Sequence, residues 1–404
     1  MTSELQEALC DRLTKTHTIW HSCDILLGSF VVARLGVILS FFLERRLYRV
    51  HKSLIFWLLL LSFLSLVVLY SASYSATQSW FSKQIVRLVL GWSSFFLAAL
   101  TSVRWWWHWS YVLYGLSLAL LVGVELLGFV GMGAKRWIHL GVIQLQPSEF
   151  IKVTVILALA RYFHTLPPTF ASWRQQLFVP LILILLPILL ILKQPDLGTA
   201  IILGLVSLTI FWQAGVSLWF FSLGFSVFCL SCPVLWCFLR DYQKQRILSF
   251  LDPQCDPLNS GYHVLQSQIA LGSGGLTGKG FLQGTQSHLG FVPEKQTDFI
   301  FALWCEEWGF RGACILVTLY ILLMTTCLRI TYRAQTLFHR LVAVGMTSLI
   351  FFHTFINIAM VTGLCPVVGI PLPFLSYGGT ALLSLMLACG CLMMVHVFHN
   401  EHIS

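Results

Sequence analysis

The sequence predicts an all-α, polytopic integral membrane protein of about ten transmembrane helices, and three observations predict it. Mean hydropathy is +0.81, only 10% of the 404 residues are charged, and 31 are phenylalanine. A soluble surface needs roughly a quarter charged residues, which this chain cannot supply. The third observation is the recurrence of apolar runs about as long as a bilayer core is thick. A transmembrane barrel, the other closed solution to backbone hydrogen bonding in lipid, would show short segments of alternating polarity instead.

The runs fall at Ser53–Ala72, Ile85–Val103, Trp109–Gly128, Ser148–Phe163 and Phe178–Leu192, then at Gly198–Ala214, Ser217–Leu239, Phe310–Leu328, Leu341–Gly363 and Gly378–Phe398. Several are short enough to imply tilt or polar ends. Residues 53–400 are therefore expected to form one helical domain, with a large polar loop at 241–300 between the seventh and eighth spans. That loop carries Asp241, Asp252, Asp256, Glu294 and Asp298, five of only 16 acidic residues. Residues 1–52 read as an N-terminal extension whose apolar run, Ile25–Leu43, is interrupted by Arg34. It suits an eleventh span, an interfacial helix or a leader, and lacks a small-residue cleavage site before Glu44.

Basic residues orient the bundle, because Lys and Arg near span ends resist transfer across the membrane. Arg45, Arg46, Arg49, Lys52, Arg104, Arg161, Arg174, Arg329, Arg333 and Arg340 share one side, against Lys83, Lys135, Arg136 and Lys193 on the other. The first side is read as cytoplasmic and the 241–300 loop as outside it. The 12 cysteines lie mostly in or beside apolar runs and read as small buried hydrophobes.

Four outward segments carry charge that an apolar bundle does not need. In the first, Lys135 and Arg136 precede Pro147-Ser-Glu149, a good helix start, and Lys152 is spaced to pair with Glu149 on one helix face. In the second, Lys193 precedes Asp196, which is placed to cap the next helix. The third holds two Asp-Pro turns, at Asp252 and Asp256. The fourth runs through Glu294 and Asp298 to Glu306 and Glu307, at least one of which is expected to face a wet cavity. Gly272, Gly274, Gly275, Gly278, Gly280 and Gly284 are expected to loosen the third loop; without P-loop spacing they are a weak phosphate signal. Cations beside carboxylates suit a substrate with a lipid tail and a phosphate head, leaving one carboxylate for proton transfer. His353 and Asn357 in the ninth run read as interhelical hydrogen-bonding groups.

Six ordered motifs resemble the SEDS family, which includes RodA, FtsW and SpoVE. They are Gly133-Ala-Lys-Arg-Trp-Ile138, Gln146-Pro-Ser-Glu with Lys152, Gln194-Pro-Asp-Leu-Gly-Thr199, Asp256-Pro-Leu with Gly261-Tyr-His263, Pro293-Glu with Thr297-Asp-Phe-Ile-Phe301, and Pro371-Leu-Pro-Phe-Leu-Ser-Tyr-Gly-Gly379. The resemblance runs from about Leu54 to the C-terminus. Gly278-Lys-Gly-Phe-Leu-Gln-Gly-Thr-Gln-Ser287 is more like the RodA elongation branch than the FtsW division branch. Departures are the extension before Arg45 and Asn259, where the family often has Gly.

The resemblance implies a peptidoglycan glycosyltransferase in the bacterial inner membrane. Such an enzyme polymerises lipid II into glycan strands and releases undecaprenyl pyrophosphate. Asp256 matches the family's catalytic aspartate and is the expected general base, with Asp252 a turn residue. Arg136, Glu149, Lys152, Lys193, Asp196, Glu294 and Asp298 are the expected substrate-binding set. Positive charge on the leaving pyrophosphate would come from Arg136, Lys152 and Lys193, or from a divalent cation, Mg2+ or Mn2+. One displacement without a second nucleophile implies inversion at the donor. Expected partners are lipid II, a class B penicillin-binding transpeptidase, elongation-complex proteins and the membrane, with no nucleic acid. The rival readings are a lipid II flippase, which needs ionisable groups open to both faces, and a scaffold.

Overall fold

A computed structural model describes residues 50–74, 80–127, 129–131, 134–140, 143–166, 173–238, 241–252, 260–292 and 294–401. The N-terminal apolar run and the turn bearing Asp256 lie outside the described residues. From His51 on the chain forms one compact unit.

Ten helices of 17 residues or more are described, each overlapping one expected run, although the helix over Phe310–Leu328 starts ten residues earlier, at Ile300. They are α1 (Lys52–Tyr74), α2 (Trp80–Leu100), α3 (Val103–Leu127), α4 (Pro147–Thr165), α5 (Trp173–Lys193), α6 (Leu197–Gln213) and α7 (Leu218–Phe238), then α11 (Ile300–Arg333), α12 (Leu337–Val361) and α13 (Gly379–Val397). Six are long and apolar enough to cross a membrane unaided: α1, α2, α3, α11, α12 and α13. The chain is a multi-pass membrane protein. The least apolar of the ten, α4, carries Glu149, Lys152 and Arg161, and it is also among the most enclosed. Its carboxylate and ammonium face other helices, so lipid never meets them.

Helix packing depends on small residues, because lipid offers no hydrophobic drive for helices to associate. α13 packs most extensively on α2, and α12 on α6, α4 and α11. At Gly390 a side chain would meet the Phe95 carbonyl oxygen at 2.6 Å, so α2 and α13 touch at backbone distance only because a glycine stands there.

Two features depart from the expected outline. Between α3 and α4 the chain forms a small antiparallel sheet of β1 (Phe129–Gly131), β2 (Ala134–Leu140) and β3 (Ile143–Leu145), with Phe129 opposite Trp137 and Ile138 opposite Leu145. Among the described residues, the polar segment at 241–300 is not a loose loop. It contains α8 (Asp241–Leu251), α9 (Ser260–Ser273) and α10 (Thr285–His288), and residues 274–280 are pinned to α11.

The pinning follows from a break in α11. At 34 residues this helix is about 51 Å long, well beyond a hydrocarbon core. It breaks at Gly309, where φ is +65°, a conformation that favours glycine. The freed groups are satisfied by the glycine segment: Phe310 N donates to Gly275 O at 2.9 Å, Lys279 N to Glu306 O at 3.1 Å and Gly280 N to Glu307 O at 3.0 Å. The approach is so close that a side chain at Gly278 would sit 2.1 Å from the Glu307 carbonyl oxygen, and one at Gly274 would sit 2.2 Å from that of Cys305. These glycines therefore permit contact and do not supply looseness.

Glu306 and Glu307 complete the attachment. Glu306 is fully buried and accepts from Lys279 Nζ at 2.8 Å, from the Gln286 and Ser287 amides at 2.7 and 2.9 Å, and from Ser287 Oγ at 2.7 Å. Glu307 accepts from Ser71 Oγ and the Leu282 amide and meets His288. Neither lines the polar cavity described below; of the four acids in this segment, Glu294 and Asp298 are the ones that do, as the expectation of a wet cavity required.

Candidate functional site

A polar cavity of about 270 Å³ opens at the end of the bundle where α1, α3 and α5 finish and α4, α6, α11 and α13 begin. Its wall holds Arg136 and Trp137 from β2, Gln146, Glu149 and Lys152 around the start of α4, and Asp196 and Thr199 at the α5–α6 break. Glu294, Thr297 and Asp298 come from the approach to α11, His353 from α12, and Tyr377, Gly378 and Thr380 from the turn into α13. Six of the expected binding residues are thus brought together: Arg136, Glu149, Lys152, Asp196, Glu294 and Asp298. Lys193 is not among them; it is exposed on the last turn of α5, where the next residue, Gln194, turns inward and donates to Leu121 O at 2.9 Å.

Pro147 starts α4 because it needs no amide donor there, and this places Glu149 and Lys152 in the first two turns on an inward face. Lys152 is 1% exposed and Glu149 5%. Burying two charges is expensive unless each is fully hydrogen-bonded. Lys152 Nζ donates to Glu149 Oε1 at 2.8 Å, and Glu149 Oε2 accepts from Ser384 Oγ of α13 at 3.0 Å. Lys152 also reaches His353 Nε2 at 2.9 Å. His353 Nδ1 is 2.8 Å from the Leu349 carbonyl, which can only accept, so Nδ1 carries the proton and Nε2 accepts from Lys152. His353 is thus the interhelical hydrogen-bonding group its sequence context predicts, and it also lines the cavity. The signal was present, since His353 and Asn357 lie one turn apart in an apolar helix.

Asp196 caps α6, accepting from the Thr199 hydroxyl at 2.9 Å and its amide at 3.4 Å. It also accepts from Gln146 Nε2 at 3.1 Å, which ties the α4 start to the α5–α6 break. Arg136 donates Nε to Gln194 O at 2.8 Å and Nη2 to Pro195 O. Two of its five donors meet carbonyls at the end of α5, and the residue lines the cavity with a planar fork of the kind suited to phosphate oxygens.

Glu294 is exposed, with φ of +47°, and accepts from Gln296 Nε2 at 3.0 Å and Thr297 Oγ1 at 3.2 Å. Asp298 is half-buried. Desolvation, and next the Glu294 carboxylate, push its carboxyl up to about 7, against the opposing pull of Arg246. That value lies near the pH at which a proton acceptor works best. Asn357 fixes the backbone here, donating to Asp298 O at 2.9 Å and Ile370 O at 2.6 Å. Asp252 is exposed at the end of α8.

Among the described residues no group of three His, Cys, Asp or Glu side chains is placed to hold a metal ion; Glu149 is paired with Lys152 and Asp196 caps α6. No step is assigned to a metal.

The FtsW/RodA/SpoVE family model, described as cell cycle protein, matches residues 26–401. The chain is 42% identical over 361 residues to peptidoglycan glycosyltransferase MrdB of Escherichia coli K12, covering 88% of this chain and 96% of that protein. It is 36% identical over 353 residues to stage V sporulation protein E of Bacillus subtilis, covering 83% and 94%. A solved structure concerning coordination of polymerization and crosslinking by a peptidoglycan synthase complex aligns with TM-score 0.76 at 30% identity, over 87% of this chain and 99% of that one. The rod shape determining protein RodA of Thermus thermophilus aligns with TM-score 0.67 at 28% identity, over 87% and 98%.

Proposed function

Since this chain belongs to the FtsW/RodA/SpoVE family, we propose that its polar cavity is the site where lipid II is polymerised into glycan strands. The chain is a peptidoglycan glycosyltransferase. The observation that carries the site assignment is the cavity itself. A bundle of apolar helices encloses a buried Glu149–Lys152–His353 network, a partly committed Arg136 and a carboxyl, Asp298, held near neutral pH.

In this reading the lipid tail stays among apolar helices and the sugar and phosphates enter the cavity. Asp256, the residue the family motif singles out, takes the proton from the acceptor hydroxyl as that oxygen bonds to the donor's anomeric carbon. The bond from that carbon to the pyrophosphate oxygen breaks, with inversion. Arg136 supplies charge to the departing pyrophosphate, where preorganised donors act most strongly in a dry site. Lys152 holds Glu149 and the cavity floor in shape. Glu294 and Asp298 line the acceptor side. The cavity faces away from the cytoplasm, because it lies at the end opposite the basic cluster at Lys52, Arg329 and Arg333. A class B penicillin-binding transpeptidase, with elongation-complex proteins, is the proposed partner, supported by the likeness to the synthase complex.

The test is polymerisation of lipid II by purified protein with its cognate transpeptidase, comparing wild type, Asp256→Ala and Asp252→Ala. Glycan chains from wild type and Asp252→Ala, but not from folded Asp256→Ala, support the assignment. Equal activity in Asp256→Ala overturns the choice of base.

A further inference from the structure

Arg87 lies two turns into α2, between Val86, which is 60% exposed on the bilayer face, and the buried Leu88. It therefore occupies the seam where lipid-facing and packed surfaces meet. Its guanidinium lies over the Tyr377 ring, with Cζ 3.7 Å from the centroid. It also rests against Gly379, where a β-carbon would stand 3.2 Å from Nε. Tyr377 in turn lines the polar cavity. Arg87 Nη1 is enclosed without a hydrogen-bond acceptor, and among the described residues no carboxylate pairs with this arginine.

A cation in a spanning helix is costly, and such residues are expected to face a counter-charge or a polar path. The neighbours here provide an aromatic face, which steadies a guanidinium, and the Tyr377 side chain as one hydrogen-bond partner, which leaves Nη1 without an oxygen acceptor. What is missing is an anion with several oxygens, placed where a molecule arriving sideways from the outer leaflet would carry its phosphates. The tail would remain beside Val86, Val89 and Leu90, all exposed, while the sugar passed Tyr377 into the cavity.

We propose that Arg87, backed by Tyr377, binds the pyrophosphate of the lipid-linked sugar substrate at the bilayer-side entrance of the cavity. This deepens the functional reading above and rests on it. Arg87 acts in binding and takes no part in bond cleavage.

The experiment uses the full chain in phosphatidylcholine nanodiscs and follows tryptophan fluorescence as undecaprenyl pyrophosphate is added, alongside lipid II polymerisation. Arg87→Gln is expected to weaken undecaprenyl pyrophosphate binding at least tenfold. It should raise KM for lipid II by a similar factor and leave kcat within about threefold. Arg87→Lys keeps the charge but loses the planar fork stacked on Tyr377, and should bind more tightly than Arg87→Gln but more weakly than wild type. Unchanged binding and KM in folded Arg87→Gln overturn the proposal. So does a wild-type response given equally by phosphatidylglycerol, which would make the site one for ordinary headgroups; this arm needs no variant to fold. If wild type fails to polymerise lipid II, the functional reading fails, and the binding arm still decides whether Arg87 reads a pyrophosphate.

Discussion

Lys152 Nζ lies 2.9 Å from His353 Nε2, joining α4 to α12 across 201 residues of sequence. The ammonium is thereby shared between a carboxylate and an imidazole lone pair, both out of water. Removing one member of such a set costs more than the set contributes, because the survivors remain buried and unpaired. Lys152→Ala is expected to lower stability by about 3–5 kcal/mol. Lys152→Met with Glu149→Gln should be milder than Lys152→Ala alone. A double-mutant cycle on thermal unfolding in nanodiscs measures the coupling, and additive losses would show that the two charges do not depend on each other.

Asp298 gives a pH prediction. Its carboxyl is raised to about 7 in the folded chain, against about 3.9 when unfolded, so folding favours its protonated form. That contribution is complete below about pH 4 and is lost as pH rises through 7. Asp298→Asn, which mimics the protonated form, should raise the thermal midpoint at pH 8 and change it little at pH 5. An equal change at both values would contradict the desolvated placement.

The glycine contacts make paired predictions. Gly278→Ala forces a β-carbon to within 2.1 Å of the Glu307 carbonyl oxygen at a φ of +83°, and should sharply reduce folded yield. Gly272→Ala, with nothing within 4 Å of its β-carbon, should be neutral or slightly stabilising. Size-exclusion profiles of the two purified variants compare them directly.

Glu306 draws together Lys279, Gln286 and Ser287, so Glu306→Ala should release residues 279–288 while the spans remain packed. Hydrogen exchange reads this as lost protection confined to that segment and the start of α11. Protection unchanged there would mean the glycine contacts alone hold it.

Much of this arrangement is legible from local spacing. The ten spans follow from composition, the Glu149–Lys152 pair from i,i+3 geometry, and the Asp196 cap from its place before Leu-Gly-Thr199. Long-range contacts were not legible. His353 meets Lys152 only after α4 and α12 pack, and nothing near His353 in sequence names its partner. Gly274 and Gly278 read as flexible because the carbonyls they approach lie some thirty residues on. Lys193 sits beside a motif that enters the cavity, yet one step around the helix turns it outward. The three strands before α4 are too short for their alternation to stand out.

The most direct measurement is lipid II polymerisation and lipid II movement across the bilayer in the same proteoliposomes, with wild type and folded Asp256→Ala. Glycan chains from wild type, none from Asp256→Ala, and no wild-type acceleration of lipid II movement are predicted. Lipid II movement without polymer from wild type would contradict the account and identify a flippase.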